Sequence, residues 1–372
     1  MSESGGMGGM GGMGGMGGMG GMGGMGGMGN LNVTGLGAFI NAGTDAVYDP
    51  LLVQGLQITE QAITHVAGDW DTKAAKELSF HSANNLVLWA DWVRASLYLT
   101  DFLTGFGWTV HGPSHRGVVR LTYGGRGKTF YTVHRPPVAY FEEQLKFMRD
   151  YLDQRPDRTP EIITQLGFPT PYFSMILGLQ APGTNRYTLE LITITQVLAA
   201  HTAMVVKHHL ACRRPDRLGA KVMPIIPTPA HATFPSAHST EAFAVAEVLN
   251  TLLESQKHYP DVPKRQALIT KLAERIAVNR TVAGLHYPID SWAGAVLGRA
   301  VGQIVLSKCG VHPVVDGYDY RANPHCDFFV DEFTKGNNPH FGVRSKNNVR
   351  VQSSALFSWL WNKARKEFDL AQ

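Results

Sequence analysis

Three short clusters in the second half of the chain carry residue types that can do chemistry on an anion. The first is Lys207, six residues, then Arg214-Pro215. Seven residues are close to two helical turns, so Lys207 and Arg214 project from one face and can grip one anion, with Pro215 ending the helix. The second is Phe234-Pro235-Ser236-Ala237-His238-Ser239-Thr240, immediately before an apolar run that begins Glu241-Ala242-Phe243. It reads as a helix N-terminus, where free N–H groups and the positive end of the macrodipole attract an anion. The Ser236 hydroxyl and the Ala237 amide are its donors. His238 lies where it can give or take a proton at a bound oxyanion. The third is Asn279-Arg280, five residues, His286, three residues, Asp290. A carboxylate four residues past a histidine can accept from one ring nitrogen and leave the other free as nucleophile or metal ligand. Pro288 suits the first turn of the next helix, and Gly284 gives the turn that swings His286 toward the other clusters.

Converged, the clusters surround one small volume with two Arg, one Lys, a Ser-plus-amide nest and two His. Three cations held together repel one another unless a multiply charged ligand such as phosphate or vanadate offsets them. The pattern K-x6-R-P, P-S-x-H, R-x5-H-x3-D resembles the shared signature of type-2 phosphatidic acid phosphatases, bacterial class A acid phosphatases and vanadium-dependent haloperoxidases. It covers Lys207 to Asp290, about a quarter of the chain, in order and spacing. The resemblance implies an all-α helical bundle with the oxyanion site buried at its centre. By motif position it implies that Lys207, Arg214 and Arg280 bind oxyanion oxygens, with Ser236 and the Ala237 amide as further donors. His238 would be the acid-base residue. His286 would be the phosphatase nucleophile or, in a haloperoxidase, the axial ligand to vanadium, oriented by Asp290. Ala237 stands where the family usually has Gly, and Asn279 where it usually has Ser; neither change removes a charge.

The same cage serves two reactions. In the first, vanadate is the cofactor, and hydrogen peroxide oxidises bromide or a similar halide, with an organic acceptor for the product. In the second, a phosphate ester is hydrolysed through a phosphohistidine, and phosphate takes the place of vanadate. His231, five residues before Ser236, favours the first, because bromoperoxidases of the vanadium family are similar there. The Gly284-Leu285-His286-Tyr287-Pro288-Ile289-Asp290 stretch is similar to many phosphatases. Length and an expected solubility lead to a vanadium-dependent haloperoxidase as the main reading, with a soluble phosphatase of the same superfamily as the alternative.

Long stretches of helical periodicity must position these groups. They run over about 75–105, 138–153, 185–212, 240–255, 263–282, 288–308 and 353–368. One hairpin is legible, Val118–Tyr123 and Thr129–His134, joined by Gly124-Gly125-Arg126-Gly127-Lys128. Its Gly127-Lys128-Thr129 ending imitates a phosphate-binding loop, but the required earlier Gly is Thr122 and a strand follows instead of a helix. The expectation is therefore an all-α bundle with a small β-hairpin insertion, in two parts. Residues 1–33 form a disordered leader, and 34–372 form one helical catalytic domain with its oxyanion core at 185–308. The Leu88, Trp89 and Trp92 stripe reads as core, and Cys212 as a small buried thiol.

Composition narrows the class. With 34 Lys+Arg against 30 Asp+Glu in 372 residues, the net charge of +4 is too mild to imply nucleic acid. Of 41 Gly and 13 Met, 17 Gly and 8 Met lie between Gly5 and Gly29 in a Gly-Gly-Met repeat, which sets the glycine excess in the leader. Three cysteines without C-x-x-C spacing exclude a disulfide scaffold and a cysteine zinc site. No secretory signal is recognisable. Leu191–Val206 is interrupted by Thr193, Thr195, Gln196, His201 and Thr202 and is shorter than the roughly 20 residues of a span. Small-molecule partners, no nucleic acid, no membrane span, a possible homodimer and a cytoplasmic location by default are the expectations that follow.

Overall fold

The computed structural model describes residues 50–63, 77–113, 115–125, 128–179, 184–256 and 259–369. The Gly/Met leader lies outside the described residues. The helices that matter for the site are α6 (Arg186–Leu210), α7 (Ala237–Glu254), α8 (Val262–Val282) and α9 (Pro288–Lys308). Around them stand α1 (Pro50–Ile63), α2 (Asp91–Gly105), α3 (Val138–Asp150), α4 (Arg155–Thr164), α5 (Thr170–Leu177), α10 (Val330–Phe333) and α11 (Ala355–Asp369). α7 packs against α6, α8 and α9, and α9 is buried almost all round. A helix apolar on most of its surface has to sit at the centre of the molecule, and the composition from Trp292 to Val305, with only Arg299 and Gln303 polar, dictates that place.

The all-α expectation is corrected. Five strands form one sheet in the order β1 (Phe106–His111), β2 (Val118–Tyr123), β3 (Thr129–His134), β4 (Val314–Tyr320), β5 (Val343–Arg350). The legible hairpin, β2–β3, is its centre. β1 pairs antiparallel with β2, β4 runs parallel to β3, and β5 is antiparallel to β4. β4 reads Val-Val-Asp-Gly-Tyr-Asp-Tyr, its Val and Tyr residues interrupted by Asp and Gly, and β5 reads Val-Arg-Ser-Lys-Asn-Asn-Val-Arg, a sequence poor in local strand preference. β4 becomes a strand on the free edge that β3 offers some 180 residues away in sequence, and β5 then pairs with β4, where such pairing overrides propensity. The sheet serves the site directly: Tyr131 donates its hydroxyl to Ala293 O at 3.0 Å and Tyr320 to Ile289 O at 3.2 Å, both at the start of α9.

Other boundaries moved for local reasons. The helix expected from residue 75 begins at Asp91; before it, Ser82 caps a short 3-10 turn over Ala83–Leu88, its Oγ accepting from the Asn84 N–H, while the Asn85 side chain donates to Ser79 O instead of continuing an α-helix. Leu88, Trp89 and Trp92 are exposed, so they are not core. α4 and α5 lie outside the expected helical stretches; their Pro156 and Pro171 fall in first turns, where a missing N–H costs nothing.

The expectation of no membrane span is also corrected. Among the described residues, the segment Arg186–Arg217 is long and apolar enough to cross a membrane by length and composition, with 67% of its most apolar window buried inside the protein. Three of the polar residues taken as interruptions are satisfied within the helix. Thr193, Thr195 and Thr202 donate to the carbonyls of Leu189, Leu191 and Leu198 at 2.7–2.8 Å, so they present little unpaired polarity.

α7 and α9 touch backbone to backbone. A Cβ on Gly294 would lie 2.5 Å from Ser236 O, and one on Gly298 2.4 Å from Thr240 O. Both clashes are with backbone, at the N-cap and in the first turn of α7, which cannot step aside as a side-chain end can. This contact sets the N-termini of α7 and α9 side by side, which is where Ser236 and Asp290 are. Gly298→Ala is expected to destabilise the fold by about 3 kcal/mol through overpacking, read as a lower urea midpoint at unchanged slope.

Candidate functional site

The three clusters meet at one end of the helix group. α6 carries Lys207 and ends at Leu210, with Ala211 in the left-handed conformation (φ 47°) turning the chain. Arg214 follows in extended backbone and Pro215 opens a short 3-10 turn. The expectation that Lys207 and Arg214 share one helix face is therefore corrected, and it is the turn that brings Arg214 to the site. α7 begins at Ala237, a turn earlier than expected, with Ser236 as its N-cap. The Ser236 Oγ accepts from Ser239 N at 3.3 Å and its own N–H donates to Asp290 O at 2.9 Å. The Ser236 hydroxyl proton and the Ala237 amide remain the donors of this nest. α8 ends just past Arg280. Gly284 at φ +83° then reverses the chain, and Pro288 opens α9 two residues after His286.

One linked network surrounds His286. Its Nδ1 lies 2.9 Å from Asp290 Oδ2. The same carboxylate oxygen accepts from Tyr287 N at 3.1 Å and from the Thr233 hydroxyl. A carboxylate only accepts, so Nδ1 carries the proton and Nε2 has the lone pair. Nε2 faces Arg214 Nη1 at 3.0 Å. Arg214 is fixed by two carbonyls, Nε to His231 O at 2.9 Å and Nη1 to Leu285 O at 3.0 Å. Lys207 Nζ donates to Ala232 O and Thr233 O at 2.8 and 2.7 Å. Burial, then the charges of Arg214 and Lys207, hold His286 well below the ordinary histidine value, so it is a neutral imidazole near pH 7. Burial pushes Asp290 up to about 6, against the pull of its Thr233 bond and Lys207. At neutral pH it is a carboxylate able to hold the Nδ1 proton.

A second network carries His238 and Arg280. His238 Nε2 lies 2.9 Å from Gln165 O. Arg280 Nη1 and Nη2 donate to Gln165 O, Ile162 O and Gln165 Oε1 at 3.2–3.3 Å, while its buried Nε has no hydrogen-bond partner. Burial first, then Arg280, take His238 down to about 3; Lys207 and Arg214 act in the same direction, which brings the two networks within each other's field. His231 leans on Arg214, with its ring nitrogens 3.2 and 3.4 Å from Nη2. Burial and the charges of Lys207 and Arg214 lower it to about 3, so it is neutral beside the guanidinium.

All nine expected site residues, Lys207, Arg214, His231, Ser236, Ala237, His238, Arg280, His286 and Asp290, thus belong to these two networks or to the helix start between them. Three participants were not foreseen. Thr233, in the loop between His231 and Ser236, ties Asp290 to His286, with its Oγ1 3.2 Å from Nδ1. Gln165 receives both His238 and Arg280, yet nothing in a position 73 residues before His238 signals it. Glu241, read only as the start of an apolar run, lies buried with its Oε2 4.0 Å from His238 Nδ1. Cys212 is a buried thiol pushed up to about 12 by burial, hence no nucleophile. Among the described residues no group of three or more His, Cys, Asp or Glu side chains could hold a metal ion. The donors are cations, amides and hydroxyls, a set that suits a tetrahedral oxyanion.

A family model described as PAP2 superfamily matches residues 188–309. Two relatives are each 32% identical over 108 residues, 29% of this chain and 54% of theirs. Both are Decaprenylphosphoryl-5-phosphoribose phosphatase of Mycobacterium tuberculosis, from strains CDC 1551 / Oshkosh and ATCC 25618 / H37Rv. The chain therefore spans about half the length of these relatives. A similar solved chain is the transmembrane PAP2 type phosphatidylglycerolphosphate phosphatase from Bacillus subtilis, at 18% identity and TM-score 0.25, covering 44% of this chain and 93% of that one. The matched relatives are phosphatases, which favours the alternative reading over the haloperoxidase. They are named for a decaprenylphosphoryl compound, and together with the apolar segment Arg186–Arg217 this overturns the cytoplasmic default. The matched segment, residues 188–309, contains the ordered Lys207-Arg214, Ser236-His238 and Arg280-His286-Asp290 clusters, and it is this part of the chain that is similar to the PAP2 superfamily.

Proposed function

We propose that this protein hydrolyses phosphate monoesters through a phosphohistidine on His286. The observation that carries the reading is the orientation of one ring: Nδ1 is tied to the Asp290 carboxylate at 2.9 Å, and Nε2 is turned toward Arg214 at 3.0 Å. A neutral imidazole held in one tautomer is a nucleophile aimed at the place where the cations would hold a phosphoryl group. Arg214 and Lys207, the free Nε–H of Arg280, the Ser236 hydroxyl and the Ala237 amide would receive the equatorial oxygens, whose charge grows as Nε2 attacks phosphorus. As the P–O bond to the alcohol breaks, His238 would give the leaving oxygen a proton. In the second half it would take one from water, whose oxygen attacks phosphorus and releases His286 and phosphate.

Asp290 stabilises the positive charge that His286 acquires on attack, and Thr233 keeps that carboxylate in place. Orthovanadate, shaped like the five-coordinate transition state, would meet the same donors, so it should inhibit at low concentration. The relatives' decaprenylphosphoryl compound makes a polyprenyl phosphate ester in detergent micelles the first lipid substrate to try, beside a soluble chromogenic ester.

The test measures phosphate release from both esters by purified full-length protein, with and without orthovanadate, and in parallel peroxide-dependent bromination with vanadate added. Ester hydrolysis that vanadate suppresses, with an acid-labile phosphoryl group trapped on His286, is expected. Vanadate-dependent bromination without ester hydrolysis would reverse the assignment.

A further inference from the structure

Among the described residues, Glu241 is a buried carboxylate beside the cation cage that the mechanism above does not use. It sits one turn into α7, is 4% exposed, and its Oε2 is buried with no hydrogen-bond partner. The groups acting on it come from three helices: Lys207 from α6, Arg280 from α8, and His238 from its own. Arg214 also acts on His238. A carboxylate placed beside an oxyanion is repelled by it, so a neutral, protonated form suits this position better once substrate is bound.

His238 supplies the partner. Its Nε2 is 2.9 Å from the Gln165 carbonyl, and a carbonyl only accepts, so Nε2 keeps its proton. The atom that exchanges a proton with the substrate must then be Nδ1, and Nδ1 is the atom facing Glu241 Oε2 at 4.0 Å. That gap is about 1 Å longer than a hydrogen bond, within reach of a side-chain adjustment.

We infer, building on the phosphatase reading, that Glu241 is a positioning residue for proton transfer, sharing a single proton with His238 Nδ1. The pair has two forms, imidazole with carboxylic acid and imidazolium with carboxylate. In the second form the Nδ1–H that faces Oε2 would also be within reach of the leaving oxygen of a bound ester, and it gives up its proton to that oxygen as the P–O bond breaks. The pair is then imidazole with carboxylate, one charge more negative, and Lys207 and Arg280 offset that charge. Water returns the proton to Nδ1 as its hydroxide oxygen bonds to phosphorus, which restores the starting pair. Burial raises the Glu241 carboxyl to about 8, while Lys207 and Arg280 pull it down. His238 without such a partner would be neutral through the whole neutral range. The pair titrates as a unit, so its loss of the proton belongs to both residues.

The test is Glu241→Gln, which keeps size and loses the exchangeable proton, beside Glu241→Asp. For Glu241→Gln the expected result is a kcat at pH 7 lower by about 10²-fold with KM within about threefold. The alkaline limb of the wild-type pH profile should move toward acid by more than one pH unit. Glu241→Asp should recover part of kcat and the limb. A changed KM with an unmoved pH profile would make Glu241 a charge-balancing group only and overturn the proposal. So would an unchanged kcat.

A readout independent of turnover separates this from the phosphatase assignment. In ¹⁵N-histidine-labelled protein, the Nδ1 signal of His238 should titrate differently in wild type and Glu241→Gln, with a circular dichroism check of folding for each. Absent hydrolysis in wild type with a clear shift in that titration would overturn the phosphatase reading and leave the proton pair standing. Identical titrations would overturn the pair, whatever the activity.

Discussion

Alanine at position 286 is expected to abolish ester hydrolysis, lowering kcat by on the order of 10⁴-fold or more, while the protein keeps its fold. The size follows from the role. Without Nε2 no atom in the cage can take the phosphoryl group covalently, and only the cations and the helix nest are left to polarise it. Folding should survive because Asp290 loses one of three donors and keeps the Thr233 hydroxyl and the Tyr287 amide. The measurements are steady-state phosphate release, a rapid-quench search for the phosphoryl-enzyme, and circular dichroism. Retained turnover in a folded variant would remove His286 from the mechanism. The pH dependence carries the same signature. His286 is held well below the ordinary histidine value by burial and by Arg214 and Lys207, so lowering the pH from 7 to 6 should not protonate the nucleophile. An acid limb centred near 6 would instead belong to Asp290, whose neutralisation removes the acceptor for the Nδ1 proton.

The second large effect lies at the far end of α6 and is structural. Arg94 is fully buried, with Nε 2.7 Å from Glu190 Oε1, its Nη2 paired to Oε2, and Nη1 donating to the carbonyls of Leu86 and Trp89. Tyr98 adds its hydroxyl to Oε1 at 3.1 Å. This bidentate pair clamps α2 to the first turn of α6, the helix that carries Lys207. Glu190→Ala leaves a guanidinium buried with carbonyl acceptors and no counter-charge, and the expected cost is about 3–5 kcal/mol. The double variant Arg94→Met with Glu190→Leu should be more stable than Glu190→Ala, because it removes the desolvated charge with its partner. Urea unfolding of the two variants and wild type checks both statements. Equal loss in the single and double variants would mean that packing, not charge, holds this joint.

The chemistry was legible where it depends on residues close in the chain. His286 and Asp290 are four residues apart across the capping turn of α9, where Asp290 also accepts from Tyr287 N, and they meet at 2.9 Å. Ser236 caps α7 because a hydroxyl before a helix start has few better uses. The central helices were legible from apolar periodicity, to within a few residues at most ends. Thr233, Gln165 and Glu241 were not, since a threonine in a loop, a glutamine after a proline-rich helix and a glutamate in an apolar run each have ordinary explanations.

What the sequence by itself determined is the set of charged and nucleophilic groups and the helices that carry them. A residue pair three or four positions apart on a helix has its geometry fixed by the backbone repeat. The tertiary structure alone decided which groups share a volume. Arg280 and His238 come together over Gln165 because α4 packs beneath α8, and the Gly294 and Gly298 contacts draw α7 onto α9. It also decided the sheet: β4 joins the edge of β3 and β5 pairs in turn with β4, over separations that no local pattern signals. Pairings over such separations depend on the shape of the whole chain, and no local spacing encodes them.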